Sequence, residues 1–349
     1  MLKFEPAAAQ EKVPVLVVCG VDSPAKAETI QRTLATSNTR WAVISNETEG
    51  PDFAATVTDR VGGQMVPHAI GCLCCVTRSG LVSSLRRLYA MRAQGETDFS
   101  QVVVETLPDA DPAPVMQTLL NNALVTEYFR LDSVVCAITA AGLENLSASS
   151  YGLKQVAVAD RVVLGTDVDA SNEARGRLRH LNPAADMLPS EHPALSESLQ
   201  GAGLETQLLR DNLNGWLAEP HYVDSDELED GLHGFAVEFD VPLSWDAFHG
   251  WLNAGTQSNG DFMYRTKGSV QVIGLDGPVV INGAQHVFQP PLVLSDTTSE
   301  YSRLLFITDD LDREAVETSL RDDLPQFGRI SEARAARAAR AALDPSIPL

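Results

Sequence analysis

Three thiols fall within four positions of the chain, Cys72, Cys74 and Cys75, in the run Gly71-Cys-Leu-Cys-Cys75. Thiolates are soft donors that hold zinc or copper(I) far better than carboxylates do. Adjacent Cys74 and Cys75 cannot bridge each other without straining the peptide between them, which argues against a structural disulfide. Gly71 lets the backbone come close to a bound ion. His68, four residues before Cys72, is a candidate fourth ligand. Three protein ligands and one open position suit a metal that is passed on better than a structural zinc knot. A redox switch and plain buried thiols stay open as readings of the same run. The chain has five cysteines, an odd count with three crowded together, so no disulfide framework is expected. The other two, Cys19 and Cys136, sit in apolar runs and read as inert buried thiols.

A second candidate site lies in Gly20-Val-Asp-Ser-Pro-Ala-Lys26-Ala27. It follows an apolar run and opens a helical one, the place and spacing of a phosphate-binding loop. Its chemistry is incomplete. Ala25 stands where the second glycine belongs, Ala27 replaces the Ser or Thr that would hold Mg²⁺, and Pro24 has no N–H to offer a phosphate. Lys26 then has a plainer reading as a solvated lysine in a first helical turn. The remaining histidines are scattered without metal spacing, and no Ser/His/Asp arrangement or paired-carboxylate motif is present.

The elements that must carry these residues alternate. Strands are expected at Val13–Cys19, Trp41–Ser45, Val102–Glu105, Ser133–Ile138 and Arg161–Leu164, with helices at Ala25–Ser37, Ser79–Ala93 and Pro114–Asn122 between them. Such alternation predicts a doubly wound α/β layer, with ligands at the carboxyl ends of its strands. Met187–Gly203 reads as a polar, mobile loop. The acidic run Asp224–Asp230 reads as a linker, and beyond it the pattern changes to short strands at Phe235–Phe239, Ser269–Ile273, Val279–Ile281, His286–Phe288 and Arg303–Ile307, with helices at Trp245–Asn253 and Arg313–Leu320. The expected organisation is a first domain over 1–223, a linker over 224–232, a smaller α+β domain over 233–328 and an Ala/Arg-rich helical tail over 329–349.

Formal net charge is −21 over 349 residues, so the surface repels nucleic acid unless a basic patch is set apart. Arg334, Arg337 and Arg340 form such a stripe in the tail, where RNA or an acidic partner would dock. The same arginines also offset a helix dipole and keep an Ala-rich helix soluble. No DNA partner is expected. No apolar run reaches the ~20 residues that span a bilayer, and the amino-terminal residues lack the apolar core of a secretory signal, so the expected location is the cytoplasm, without membrane contact.

Taken together, the motifs resemble the CobW-like P-loop GTPases, which include zinc metallochaperones and relatives of HypB and UreG. The Gly71–Cys75 run matches that family's GCxCC signature. Asn46-Glu47 resembles the start of its NEFG segment, and Glu105-Thr-Leu-Pro-Asp-Ala-Asp-Pro112 its ETSGLADP segment. Val156–Leu164 resembles the strand leading to its NKxD motif. Tyr264–Gly268 and Arg303–Ile307 resemble its C-terminal domain. The resemblance implies a P-loop NTPase-like parallel sheet with helices on both faces plus a CobW C-terminal domain. It also implies Zn²⁺ on Cys72, Cys74 and Cys75, with GTP and Mg²⁺ contacted by Gly20, Lys26, Glu47, Glu105 and Asp167. The departures are as informative. Besides the phosphate loop, Pro108 stands where the family has a glycine whose N–H points towards a γ-phosphate. Gly165-Thr-Asp167 lacks the Asn and Lys of NKxD. Loss of GTP hydrolysis, or very slow hydrolysis, is therefore expected, with no catalytic residue assigned; an active GTPase with altered contacts is the alternative. The shared losses also resemble an actinobacterial branch linked to zinc limitation, one type of which recruits a hibernation factor to zinc-starved ribosomes. The implied partners are thus a zinc client protein or the ribosome with its hibernation factor.

Overall fold

The apolar run at Val13–Cys19 forms β1, buried along almost its whole length, and the sheet of the first unit is built outward from it. The structure, a computed structural model, describes residues 12–45, 54–61, 64–72, 78–108, 110–149, 151–168, 172–182, 185–201, 232–239, 241–259, 262–294, 301–309, 311 and 313–324. Glu47, Cys74, Cys75, the acidic run 224–230 and the tail arginines Arg334, Arg337 and Arg340 lie outside the described residues. Two compact units are present. One comprises 1–155, 160–169 and 187–203; the other comprises 156–159, 170–186 and 204–349.

In the first unit the strands are β2 Trp41–Ile44, β3 Ala54–Val61, β4 Gln64–Cys72, β5 Gln101–Glu105, β6 Phe129–Ile138, β7 Arg161–Leu164 and β8 Asp186–Pro189. They form an eight-stranded sheet in the order β4-β3-β2-β5-β1-β6-β7-β8. Pairing is parallel from β2 through β5, β1 and β6 to β7. Val, Ile and Leu dominate these inner strands, as expected where both faces are covered. One face buries Leu16, Val18, Val103, Val135 and Val163 against α1 (Ser23–Thr36) and the short α8 (Leu195–Leu199). Helices α2 (Arg78–Ala93) and α3 (Ala113–Asn121) bury Leu85, Leu88, Met116 and Leu119. In chain order α4 (Ala123–Thr126), α5 (Ala140–Glu144) and α6 (Gly152–Val158) follow α3, and α7 (Asn172–Leu181) is part of the other unit.

Three sequence expectations need correction. The hairpin β3–β4 was not anticipated, and it carries both His68 and Cys72. Its strands interrupt their apolar residues with Thr56, Thr58, Asp59, Arg60 and Gln64, and β4 contains Pro67, which an edge strand tolerates because one side of its backbone needs no ladder partner. The apolar run 156–164 is not one strand: Val156–Val158 ends α6, and only Arg161–Leu164 is extended. A short continuous apolar run does not by itself separate a buried helix from a strand. Residues 187–201 are not a loop. They supply most of β8 and all of α8, whose Leu195 and Leu199 are fully buried. Ser196 N donates to Thr36 Oγ1 at 3.0 Å and Ser190 N to Leu164 O at 2.7 Å, which tie the segment to α1 and β7.

The second unit holds β9 Leu232–Phe239, α9 Trp245–Asn259, β10 Met263–Val270, β11 Val279–Ala284, β12 Val287–Phe288, β13 Leu292–Val293, β14 Ser302–Asp309 and α10 Arg313–Asp323. Every described pairing in its sheet is antiparallel. Alternate residues Phe235, Val237 and Phe239 join Leu304 and Phe306 in a core with Phe248, Trp251, Val316 and Leu320 from the two helices. β10 begins six residues before the expected strand, so Tyr264–Gly268 is strand. Among the described residues no helix is long and apolar enough to cross a membrane.

Candidate functional site

The carboxyl ends of β1 and β5 bring Gly20, Lys26 and Glu105 together, because Val18 and Glu105 are register partners. Gly20 has φ +152°, and a Cβ there would overlap the carbonyl oxygen of Ala137, so the turn out of β1 demands glycine. Helix α1 starts at once. Asp22 is its N-cap: Oδ1 accepts the Ala25 N–H at 2.8 Å, and Oδ2 accepts the Thr139 hydroxyl at 3.0 Å and its N–H at 3.3 Å. A carboxylate thus occupies the N-terminus of the helix, the spot where exposed N–H groups and the helix dipole attract anions. An incoming phosphate would meet that negative charge.

Lys26 is fully buried rather than solvated, which removes the plainer reading of that residue. Its Nζ donates to the carbonyl oxygen of Thr106 at 2.6 Å. Burial of an ammonium is tolerable only with such partners. Thr106 N in turn donates to Val18 O at 2.9 Å, so the chain leaving β5 is tied to both β1 and α1. Glu105, also buried, accepts a short hydrogen bond from the Ser45 hydroxyl at the end of β2.

Asp167 stands apart from this group. It is exposed at the end of β7, and its Oδ2 accepts the Ala140 N–H at the start of α5 at 3.2 Å. The carboxylate expected to read a guanine therefore serves its own chain. Asp22 and Asp167 both hold the Thr139–Ala140 turn.

The register also places Cys72. β3 runs against β2, and β4 runs against β3, so β4 is parallel to β2, β5 and β1. Cys72 pairs with Ala54, whose neighbour Ala55 pairs with Ile44, which pairs with Val104. The thiol run therefore begins on the same edge of the sheet as Gly20 and Glu105, three strands from β5, or roughly 14 Å at ~4.8 Å per strand. β4 has one residue more than β3 between the pairs Ala69–Thr56 and Cys72–Ala54, a bulge just before the thiol run. Bulges of this kind re-aim a strand end next to functional sites. Among the described residues no group of three or more metal-ligating side chains is placed to hold an ion.

Cys19 and Cys136 are register partners on β1 and β6, both free and buried. Cys19 Sγ donates to Val135 O at 3.4 Å. The hydrogen bond to Cys19, then burial, pushes the Cys136 thiol well above its ordinary value of 9.0. The thiol form is thus favoured in the folded chain. Its stabilising effect is complete below the unfolded value and fades as pH rises past it. The expected result is a fall in melting temperature above about pH 9, with a slope approaching ~1.4 kcal/mol per pH unit for this group. Thermal melts of Cys136→Ala across the same range should show a shallower decline.

Sequence reasoning missed Asp22, Thr139 and Gln155. For Asp22 a signal existed: Asp followed by Ser-Pro at a helix start is a capping pattern. Nothing local marks Gln155, whose partners are more than forty positions away.

A doubly wound sheet with a lysine-bearing strand–helix turn on its carboxyl edge, followed by an antiparallel α+β unit, defines the P-loop GTPase-like class of α/β proteins. The chain belongs to the CobW/HypB/UreG family: that family's nucleotide-binding domain matches residues 14–194, and the cobalamin synthesis protein cobW C-terminal domain matches residues 232–324. It is 24% identical over 229 residues to zinc chaperone YjiA of Escherichia coli (strain K12), spanning 62% of this chain and 69% of that protein. It is 29% identical over 179 residues to zinc-regulated GTPase metalloprotein activator 1 of Schizosaccharomyces pombe, spanning 48% of this chain and 42% of that protein. The crystal structure of Zn(II)-bound YjiA GTPase from E. coli matches with TM-score 0.63 at 19% identity, covering 90% of this chain and 99% of that one. At that identity the likeness is one of fold.

Proposed function

We propose that this chain is a zinc-handling protein that carries Zn²⁺ as cargo on Cys72, Cys74 and Cys75, and that nucleotide does not drive its release. The observation that carries this reading is the contrast between its two candidate sites. The three-thiol run is complete in sequence, whereas the groups on the phosphate side are engaged within the chain, Asp22 on Ala25 and Thr139, and Lys26 on Thr106. Zinc as the cargo is supported by the thiol donor set and by relatives named for zinc. Thiols bind Zn²⁺ as thiolates, so loading releases protons and is favoured by rising pH. A ternary thiolate site leaves a position from which a client protein's ligand can take the ion. Weak or absent GTP and Mg²⁺ binding belongs to the same proposal, and titration of the intact chain with zinc and, separately, with Mg²⁺ and GTP tests both halves. The ribosome remains a second partner class, supported by the stripe Arg334, Arg337 and Arg340 in the sequence.

A further inference from the structure

The chain leaving β5 is held by two side chains from α6 and by Lys26. Gln155 on α6 is fully buried. Its Nε2 donates to Pro108 O at 2.7 Å and to Ala110 O at 2.9 Å. Both amide hydrogens are thereby used, and because carbonyls only accept, the orientation of the amide follows from its partners. The preceding residue, Lys154, is buried as well and pairs with Asp111 in a short ion pair, while its ammonium lies 5.8 Å from the Tyr151 ring centroid. Asp111 Oδ1 accepts the Ala113 N–H at 2.9 Å, which fixes the start of α3. On the opposite side Lys26 holds Thr106 O, and Ala110 N closes a turn onto Leu107 O at 3.1 Å. Gln155 is itself anchored: its N–H donates to Tyr151 O at 2.8 Å, and its carbonyl faces Cys19 Sγ at 3.8 Å.

We propose that Gln155 and Lys154 latch the segment Thr106–Pro108 and Ala110–Asp111 in one conformation, so that this part of the site does not respond to nucleotide. The inference rests on the function proposed above and names how that site is regulated: the segment is a fixed support beside the zinc-handling edge. Movement there would take from the buried Gln155 amide both of its acceptors and break the partly buried Lys154–Asp111 pair. Gln155 and Lys154 act through the segment and are positioning residues.

Hydrogen–deuterium exchange on the full chain tests this at the peptide containing Thr106–Ala113, alone and with millimolar Mg²⁺-GTP or Mg²⁺-GDP. In the wild type the three exchange curves should coincide. In Gln155→Met, which keeps side-chain length and loses both donors, the Ala110 and Ala113 amides should exchange at least tenfold faster with the far-ultraviolet circular dichroism unchanged. Should that variant fail to fold, Lys154→Met carries the same readout through Asp111. A nucleotide-dependent change in the wild-type peptide overturns the proposal, as does unaltered exchange in a folded variant. Zinc titration of the same samples separates the two ideas: a chain that binds no zinc yet shows coincident curves keeps the latch and loses the proposed function.

Discussion

The triple variant Cys72→Ala, Cys74→Ala, Cys75→Ala should bind Zn²⁺ at least ~10³-fold more weakly than the wild type, measured by competition with a chromogenic chelator. The magnitude follows from removing every thiolate of the proposed donor set, whereas loss of a mere supporting contact around a metal weakens binding only ~10- to 100-fold. Single variants should grade the effect, and His68→Ala decides whether a fourth protein ligand exists. A loss well beyond ~100-fold there assigns the imidazole as a ligand, a ~10- to 100-fold loss makes it a supporting contact, and no change leaves the fourth position open. The fold should survive the triple exchange. Cys72 ends an edge strand, where its backbone pairing with Ala54 is unaffected by a side-chain change. Unchanged zinc affinity in a folded triple variant would sink the proposed function.

How much of this was legible in the sequence depends on the range over which each feature is decided. The inner strands were readable because burial on both faces forces runs such as Val13–Cys19 and Val102–Glu105, and burial leaves a local mark. The hairpin β3–β4 left none, because an edge hairpin has polar positions and accepts Pro67. Arg161–Leu164 was legible as a strand, but Val156–Val158 merged with it, since apolar content does not distinguish the end of a buried helix from a strand. Lys26 shows the same limit at the site. Its position was read correctly, and its environment was not, because the acceptor is the carbonyl of Thr106, eighty residues on. The spacing rules locate the ends of strands, and the partners that fill those ends come from distant loops.

Titration with Mg²⁺-GTP and Mg²⁺-GDP should show no binding tighter than about millimolar. A hydrogen bond to a charged group contributes about 1.5–3 kcal/mol. Proline at position 24, proline at position 108 and alanine at position 27 remove two N–H donors and a metal-coordinating hydroxyl, a loss on the order of 5 kcal/mol or more, which is roughly 10³- to 10⁴-fold in affinity. Starting from a micromolar site, that alone reaches the millimolar range. The structure adds an opposing term, because Asp22 already satisfies Ala25 N–H and places a negative charge at the start of α1. Asp22→Asn should discriminate between the two causes. It keeps an oxygen acceptor for the cap, removes the charge and gives up acceptance from Thr139, so a gain in Mg²⁺-GTP affinity in the folded variant, despite a lower melting temperature, assigns part of the block to electrostatics. Pro24→Gly with Ala27→Thr tests the other part by returning a donor and the hydroxyl. Sub-micromolar, Mg²⁺-dependent binding by the wild type would show that Asp22 and Lys26 give up their internal partners readily, and zinc release would then have to be treated as driven by nucleotide.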